Sequence, residues 1–411
     1  MALPTTTVEV CFNDTTLDAA NGFTLDDAVK GKLNNPYYKL DGGLVFNDVS
    51  ADVMSVSTNR GRSRELDQYV AGTATINFNN NLRKYDPLNT ASAYYPYVLP
   101  RRYVRIKSNG LPVFAGLVNS WALAYEKPNQ SYVTATAVDA FSIVASQNIA
   151  AFTPDEQVTG DRFNTILARP EVDFTGISTN IDTGNSTCGA FPISDNEVVL
   201  NYLHKIEQTE QGFVFCSADN TLTFKSRTSV LAQTGGVAFT DDGTGTSGYT
   251  TLDVDTSDDL IFNRIVAQSP AGDAQVVSDA TSISQYDTIT LEATDLLNST
   301  TAEVLSIAEL ILQTYKQPEV RFNGLSQQLS ALSLTNQNLL LGLDLTNLAT
   351  VKRSYTVGSP ASVTKYVTVE GISHSITPSA HQITYRFGAL SQAGFILNSG
   401  IFGLLDVGAI S

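Results

Sequence analysis

The sequence predicts a mainly β protein that carries a smaller α+β insert made of a helix and a hairpin. Alternation of apolar and polar residues with period two, which marks strands with one buried face, occurs in both outer parts of the chain. The middle shows helical spacing, followed by a strand, a short turn and a second strand. A chain of 411 residues is long for one core and fits two or three domains. We predict divisions at 1–150, 151–235 and 236–395, followed by an apolar C-terminal tail, 396–411.

Strands account for the first β-rich part. In AGTATINF, Ala74, Ile76 and Phe78 alternate with polar residues, and RYVRIKS and SYVTATAV alternate in the same way. Asn109-Gly110, the strongest short hairpin signal, joins RYVRIKS to the return strand VFAGLVNSWAL. Gly116 in that return strand predicts a bulge or a close backbone approach. Strands at this spacing are typical of a small barrel or sandwich.

The clearest helix lies in the middle part, within SDNEVVLNYLHKIEQTEQG. Ser194 and Glu197 have the Ser-x-x-Glu spacing of a capping box, which predicts the start of the helix. Gly212 predicts its end. The following FVFCSADNTLTF predicts a hairpin, because two apolar runs flank a short polar turn.

The last part begins with a passage rich in Gly, Ser, Thr and Asp, TGGVAFTDDGTGTSGYT, which predicts a flexible connection. A second helix follows, with Thr300-x-x-Glu303 as its cap and Pro318 after its end. Two long alternating segments, KYVTVEGISHSIT and HQITYRFGAL, predict the closing strands.

Charge is sparse and unevenly distributed. Only 16% of residues are charged, which suits proteins that pack into large assemblies, and the net charge of −16 argues against a nucleic-acid reader. Between residues 60 and 107 nine Lys/Arg oppose three acids, a local charge of +6, whereas residues 241–300 carry −10. Such asymmetry favours one face that meets a partner and another that repels an anion.

Motifs for catalysis are missing from the sequence. No Gly-x-Ser-x-Gly elbow, phosphate-binding Walker loop or zinc-binding His-Glu-x-x-His occurs. Three widely spaced cysteines, Cys11, Cys188 and Cys216, support neither a disulfide framework nor a zinc knuckle, and we predict buried or unreactive thiols. We expect no enzymatic activity, no cofactor, no signal peptide and no membrane-spanning segment.

Weaker ligand sites are considered at the histidines and in one acidic run. His204 is predicted to face solvent from its helix. His374 and His381 flank a Thr-Pro turn and can face each other across a hairpin, although no further metal ligand lies nearby in sequence. The run LDVDTSDDL does not fit a calcium loop of EF-hand type, and we interpret it as a solvated acidic loop.

A series of short motifs runs along residues 44–390. In the first part the motifs are Arg60-Gly61-Arg62, the strand from Gly72 to Phe78, Asn79, Asp86-Pro87, the basic strand Arg101 to Ile106, Phe114-Ala115-Gly116 and Trp121. Near the end of the chain lies the segment VTVEGISHSITPSAHQITYRFGAL. Each motif is weak, but their order is fairly specific, and it resembles the minor tail proteins of long-tailed (siphovirus-like) bacteriophages, the baseplate hub family. The closing segment is also similar to the last strands of that family.

The resemblance implies a tail hub protein with two barrel-like domains related to the tail tube protein. Three such subunits present six similar domains to a six-fold partner, so a homotrimer adapts the six-fold tube to a three-fold tip. It further implies a tail tube or distal tail ring protein above, a tip or fibre protein below, and DNA that passes through without specific binding. The protein would be made in the host cytoplasm, reside in the virion at the tail tip and contact no membrane.

Within that scheme the charged stretches acquire candidate roles. We predict that Arg60, Arg62 and Arg64 lie on a loop that meets a neighbouring subunit, since Arg favours bidentate pairing. The acidic residues are predicted to line the channel, where they would repel DNA. They are Asp253, Asp255, Asp258 and Asp259. The apolar tail is predicted to dock on another subunit or a tip partner.

Two alternatives remain open from the sequence. A hexameric distal tail ring protein would normally have one tube-like domain, which the second β-rich part disfavours. A carbohydrate-binding tail-tip protein would need an aromatic platform, and Tyr94, Tyr95 and Tyr97 form the one exposed-looking aromatic cluster. Trp121, in a predicted strand, is interpreted as a core residue.

Overall fold

The computed structural model describes residues 2–12, 44–126, 130–174 and 176–390. Strands predominate there and helices are few, which confirms the prediction of a mainly β fold with an α+β insert. No helix among the described residues is long and apolar enough to cross a bilayer. The apolar C-terminal tail lies outside the described residues.

The first part of the chain is built from antiparallel strands. Asn109 and Gly110, with φ of 50° and 81°, form the predicted hairpin turn. Gly116 is confirmed as a close approach, because a Cβ there would clash with the carbonyl oxygen of Val138. The strands in chain order are β1 (Thr6–Val10), β2 (Asn47–Asp48), β3 (Val53–Gly61), β4 (Val70–Asn79), β5 (Tyr103–Ser108), β6 (Leu111–Glu126) and β7 (Gln130–Val138).

Between β7 and residue 236 the described residues form short strands and four α-helices. The predicted hairpin is confirmed, because two of these strands, 213–216 and 222–225, pair antiparallel. The helices are α1 (Phe141–Val144), α2 (Thr159–Leu167), α3 (Val199–Glu210) and α4 (Arg227–Leu231). The strands are β8 (Asn148–Ile149), β9 (Gln157–Val158), β10 (Thr179–Ile181), β11 (Thr187–Cys188), β12 (Glu197–Val198), β13 (Phe213–Cys216) and β14 (Leu222–Lys225).

The last part returns to long strands and adds three helices. Its strands are β15 (Val237–Thr240), β16 (Thr251–Asp255), β17 (Arg264–Ala267), β18 (Gln275–Ser278), β19 (Thr290–Ala293), β20 (Arg321–Gln328), β21 (Leu348–Ser354), β22 (Ser362–Thr377) and β23 (Ala380–Ala389). Its helices are α5 (Ala280–Tyr286), α6 (Thr301–Tyr315) and α7 (Leu334–Leu341).

The prediction of a flexible connection after the middle part was wrong at its start. β15 falls inside that passage and pairs parallel with β21, and Phe239 is fully buried. The run Val-Ala-Phe is apolar enough to form a core strand, and the surrounding small polar residues concealed it.

Helix starts differ in how well the sequence predicts them. The hydroxyl oxygen of Thr300 accepts a hydrogen bond from the backbone N–H of Glu303, as its motif predicts. The capping box at Ser194 was wrong, since α3 begins at Val199 without a side-chain cap. Glu197 lies instead in β12, where its carboxylate accepts a hydrogen bond from Lys205 at 2.8 Å.

Most long strands belong to one 13-stranded sheet. Its main path runs β16-β20-β23-β22-β3-β4-β7-β6-β5-β1-β2, with β21 beside β22 and β15 beside β21. The two outer parts of the chain therefore share one hydrogen-bonded ladder, and they join where β22 pairs antiparallel with β3. A second, smaller core lies where α6 packs on the sheet β18-β17-β19.

The strand order of the sheet repeats. From β16 it reads β16-β20-β23-β22-β21-β15 in the last part of the chain. From β3 it reads β3-β4-β7-β6-β5-β1 in the first part. One difference is direction: β1 is antiparallel to β5, whereas β15 is parallel to β21. Each series has one central strand of 16 residues, β6 or β22.

Candidate functional site

The candidate site is the junction of the two series of strands, here called the seam, formed by residues 56–61 of β3 and 371–376 of β22. Gly61 is the last residue of β3 and has φ of 96°. A Cβ on Gly61 would clash with the carbonyl oxygen of Glu370. That oxygen accepts a hydrogen bond from the backbone N–H of Arg62 at 2.8 Å. The two strands therefore touch backbone to backbone at this end of the seam.

Of the three predicted arginines, Arg60 is buried in the seam, and Arg62, which follows the end of β3, is largely buried. The side chain of Arg60 is 3% exposed and donates to Asp344 at 2.7 Å. Arg62 donates twice to the carboxylate of Glu370, at 2.9 and 2.6 Å, and its guanidinium lies over the ring of Tyr69. Both arginines thus pair within the chain, across some 300 positions of sequence.

Arg64 has a different environment. Its side chain is 60% exposed and lies 3.7 Å from Asp67, in the loop after β3. The interface role predicted for the three arginines stays a prediction. The structure leaves the side chain of Arg64 accessible for it, and it gives those of Arg60 and Arg62 internal partners.

The sequence analysis did not identify the acidic partners of these arginines, Asp344 and Glu370. Glu370 is the single charged residue in VTVEGISHSIT, and an isolated charge within an otherwise buried strand is a signal for a buried partner. Asp344 gives no comparable signal, since it lies between helix α7 and β21. Its role depends on a contact that only the folded chain reveals.

Two buried carboxyls near the seam have raised pKa values. Burial, with the charge of Glu370 adding to it, raises the pKa of Glu65 to about 7, although the N–H of Ala389 donates to this carboxylate. Burial likewise raises the pKa of Asp139 to about 7, against the opposing hydrogen bonds from the N–H groups of Gly72 and Phe141. Both carboxyl groups beside the seam are therefore partly protonated near neutral pH.

A cavity of ≈330 Å³ opens beside the seam, between the loop after β3, the end of α3 and helix α6. Glu65, Leu66 and Phe213 line one side and Leu310 another, and Leu390, the last residue that the structure describes, also lines it. Its lining mixes apolar side chains with charged ones, among them Arg62, Glu65 and Glu370.

The three histidines lie in two separate places: His204 is on α3, and His374 and His381 are together on β22 and β23. The prediction that His204 faces solvent was wrong: it is buried, and its Nδ1 lies 2.8 Å from Glu207. His374 and His381 do face each other, with Nδ1 and Nε2 separated by 3.0 Å. Burial lowers the pKa of His381 to about 4, and burial followed by the charge of His381 lowers that of His374 well below its usual value. Both are therefore neutral at physiological pH.

Metal-binding groups are not assembled in the described part of the chain. No cluster of three or more His, Cys, Asp or Glu side chains occurs among those residues. All three cysteines are buried and free, in agreement with the prediction. Residues 243–248 have the spacing Gly-x-Gly-x-x-Gly, but they connect β15 to β16 without the helix that a dinucleotide site requires.

The aromatic residues considered for carbohydrate binding largely face inward. Tyr94 stacks on Phe12 with ring centroids 4.1 Å apart, and Trp121 packs against the core and donates its Nε1–H to the carbonyl of Leu99. Tyr95 is the most exposed of the tyrosine cluster. The three tyrosines do not form an open platform.

The four predicted channel aspartates are exposed. Asp253 and Asp255 lie on β16, and Asp258 and Asp259 lie in the loop that follows. No ion pair involves them within the described residues. Their predicted place in a channel stays a prediction.

The two 16-residue strands share detailed geometry. A bulge falls at the ninth residue of each, Asn119 in β6 and Glu370 in β22. The residue before the bulge, Val118 or Val369, accepts a hydrogen bond from a residue with positive φ. These donors are Arg101, with φ of 62°, and Thr346, with φ of 65°. The two series therefore match in backbone detail as well as in strand order.

Comparison with known proteins identifies the fold. No family model matches the sequence, and no curated protein matches it. The 43 kDa tail protein of prophage MuSo2 from Shewanella oneidensis is similar, with a TM-score of 0.54 and 12% identity over 84% of this chain and 94% of that one. The tail protein from Neisseria meningitidis MC58 has a TM-score of 0.55 and 11% identity, over 84% and 93%. The chain has the fold of these two tail proteins.

Proposed function

We propose, from the fold shared with a prophage tail protein and a second tail protein, that this protein is a structural hub subunit of a phage-type tail. Three copies form a ring that closes the distal end of the tail tube and surrounds the DNA channel. The observation that carries this proposal is the repeated strand order, which gives one chain two copies of the same architecture.

Symmetry explains why such a repeat is useful. A trimer of chains with two repeats each offers six similar surfaces, so it can bind a six-fold ring on one side and a three-fold tip on the other. The proposed divisions are 1–150 and 236–395 for the two tube-like units and 151–235 for the insert. The tail tube or distal ring protein lies above, and a tip or fibre protein lies below.

The proposed role requires no catalysis. Charged residues would act through position: Arg64 at a subunit contact, and Asp253, Asp255, Asp258 and Asp259 around the bore. An acidic lining repels the phosphate backbone, so DNA passes without binding. The exposure of all five side chains supports these assignments.

The test is the mass and symmetry of the purified full chain in solution. Sedimentation or mass photometry is expected to give three copies, and class averages from electron microscopy are expected to show a ring with an open centre. Six copies would favour a hexameric distal tail ring instead. A monomer at every concentration, also in the presence of tail tube protein, would contradict the proposal.

A further inference from the structure

We infer that copies of this chain join by β-strand addition, in which residues 120–125 of β6 in one copy pair with β16 of the next. This contact reproduces between chains the seam that β22 and β3 form within one chain. The inference rests on the proposed ring and names the two surfaces that meet in it.

The first surface is the second half of β6. On one side β6 pairs with β7 along residues 117–126, whereas on the other side β5 covers only residues 111–117. The corresponding second half of β22 is covered, because it pairs with β3. The effect on exposure is large: Ile376, the fifteenth residue of β22, is 6% exposed, and Tyr125, the fifteenth residue of β6, is 64% exposed.

The second surface is β16, the counterpart of β3. Each is the outermost strand of its series, beside β20 and β4 respectively. β3 is covered by β22, whereas β16 pairs with β20 alone among the described strands. Val254 on β16 is 46% exposed, and an uncovered strand edge with apolar side chains is a template for a further strand.

Charge supports the same partner, because the signs at the two open surfaces complement each other. In the seam a strand-end arginine, Arg60, meets Asp344 in the loop before β21. On the open surfaces the signs are reversed: β16 ends in Asp255, and Arg101 lies in the loop before β5. Both side chains are exposed, and neither has an ion pair among the described residues. A second copy of this chain supplies the missing partner for each.

Register follows from the equivalence of the two series. Ser57 of β3 lies opposite Thr75 of β4, and Asp253 of β16 lies opposite Gly324 of β20. In the seam Ser57 pairs with Ser375, which is the fourteenth residue of β22. The fourteenth residue of β6 is Ala124. Ala124 of one copy is therefore expected beside Asp253 of the next. The side chains of a paired edge strand still project from the faces of the sheet, which leaves Asp253 free to line a bore while Asp255 meets Arg101.

A charge exchange tests this contact in the full chain. Arg101→Glu and Asp255→Arg each place like charges at the junction, and each is expected to weaken association of the copies at least about tenfold. The double variant Arg101→Glu/Asp255→Arg is expected to recover the parent's mass distribution. The matched control is Asp273→Arg, which reverses an exposed acid between β17 and β18, away from β16, and is expected to leave the mass unchanged.

A covalent trap tests the register. The double variant Ala124→Cys/Asp253→Cys is expected to form covalent multimers on mild oxidation, visible on a denaturing gel, whereas either single variant is not. The native cysteines are buried, so they do not compete. Circular dichroism of every variant checks that the fold is kept.

The outcomes separate this inference from the proposed function. If the parent is trimeric and both single charge variants stay trimeric, or if they dissociate without recovery in the double variant, the strand contact is overturned and the ring stands. If the parent never assembles, the proposed function fails together with the inference.

Discussion

At the residue scale, the arginines of the seam show how a buried ion pair fixes two distant segments. Arg62 and Glu370 make a bidentate pair that is largely withdrawn from water. Such a pair contributes little net stability compared with apolar residues of the same size, but removing one partner leaves an uncompensated charge. Its role is to specify which strands meet.

We therefore expect Arg62→Gln to destabilise the chain by about 3–5 kcal/mol, because Glu370 is left buried without its cation. The double variant Arg62→Met/Glu370→Gln is expected to recover a large part of that loss. Urea unfolding followed by circular dichroism measures both. Arg64→Gln is the matched control on an exposed arginine, with an expected change below about 0.5 kcal/mol. Equal losses for Arg62→Gln and Arg64→Gln would refute the assignment.

The raised pKa of Glu65 predicts that the folding stability of the chain depends on pH. Its pKa is about 7 in the folded chain and near 4.5 when unfolded. Between these values the folded state holds a proton that the unfolded state has released, so the contribution of Glu65 to stability falls as pH rises from about 4.5 to about 7. Glu65→Gln removes this effect, so the variant's stability relative to the parent should increase between about pH 5 and about pH 8, by an amount on the order of 2 kcal/mol.

The measurement is urea unfolding of parent and variant at several pH values, compared as a difference. Asp139 and the pair His374 and His381 titrate in both proteins, so their contributions cancel. A difference that is independent of pH would contradict the pKa assigned to Glu65.

Residue environments were the least predictable level from sequence. Three arginines in five residues indicate an exposed basic loop on composition alone. Partners more than 280 positions away decide otherwise for Arg60 and Arg62, and no local pattern announces Asp344. His204 failed for a different reason: its partner Glu207 is only three residues further along α3, and the local spacing did not show that this side of the helix is buried.

At the element scale, glycines at strand ends set how closely strands approach. Gly61 combines a left-handed φ with direct backbone contact to Glu370, whereas Gly110 has a left-handed φ and open space around it. Replacing each of these glycines by Ala therefore separates the cost of backbone strain from the cost of steric overlap.

Gly61→Ala is expected to cost at least about 3 kcal/mol of unfolding free energy, because strain and steric overlap add at the seam. Gly110→Ala is expected to cost about 1 kcal/mol, from strain alone. Thermal and urea unfolding give both values. If the two variants lose equal stability, the backbone contact at Gly61 is not a constraint.

Elements with strong local signals were predicted well. The Asn-Gly turn, the Thr300 cap and the closing strands depend on nearby residues, and the structure confirms each. The Ser194 cap failed because Glu197 joins β12 and pairs with Lys205, a tertiary contact that overrides the local motif. β15 was missed because small polar residues surround a short apolar run.

At the scale of the whole molecule, the seam makes the two outer parts of the chain interdependent. β3 has β4 on one side and β22 on the other, and buried residues on both strands face a common core. Separation would expose a long strand edge and leave Arg60 and Arg62 without their acids.

We expect a fragment of residues 1–150 to aggregate or to lack cooperative unfolding, although its strand order is complete within itself. Size-exclusion chromatography and thermal unfolding of the fragment, beside the full chain, provide the measurement. A monomeric fragment with a sharp transition would show that the seam is not needed for folding.

The sequence predicted the β-rich class of the molecule, but it did not predict that the two sets of strands join in one sheet. Alternation in both outer parts indicated two sets of strands, and the β-rich class follows from it. Their fusion into one sheet depends on pairing between residues about 315 positions apart, which periodicity does not encode. The matched bulges at Asn119 and Glu370 could not be predicted either, because different residue types occupy the two positions and neither type marks a bulge.

Covalent linkage of two matching units has a thermodynamic consequence. When six separate units form a ring, each unit that joins loses translational and rotational freedom. This loss costs about 4–15 kcal/mol of free energy for each unit added. Units tethered in pairs meet half of their neighbours at an effective concentration set by the chain rather than by expression level. The β22–β3 ladder holds one such pair of units together within a single chain. In the ring that we propose, this tether would allow closure at concentrations where separate units would stay dispersed.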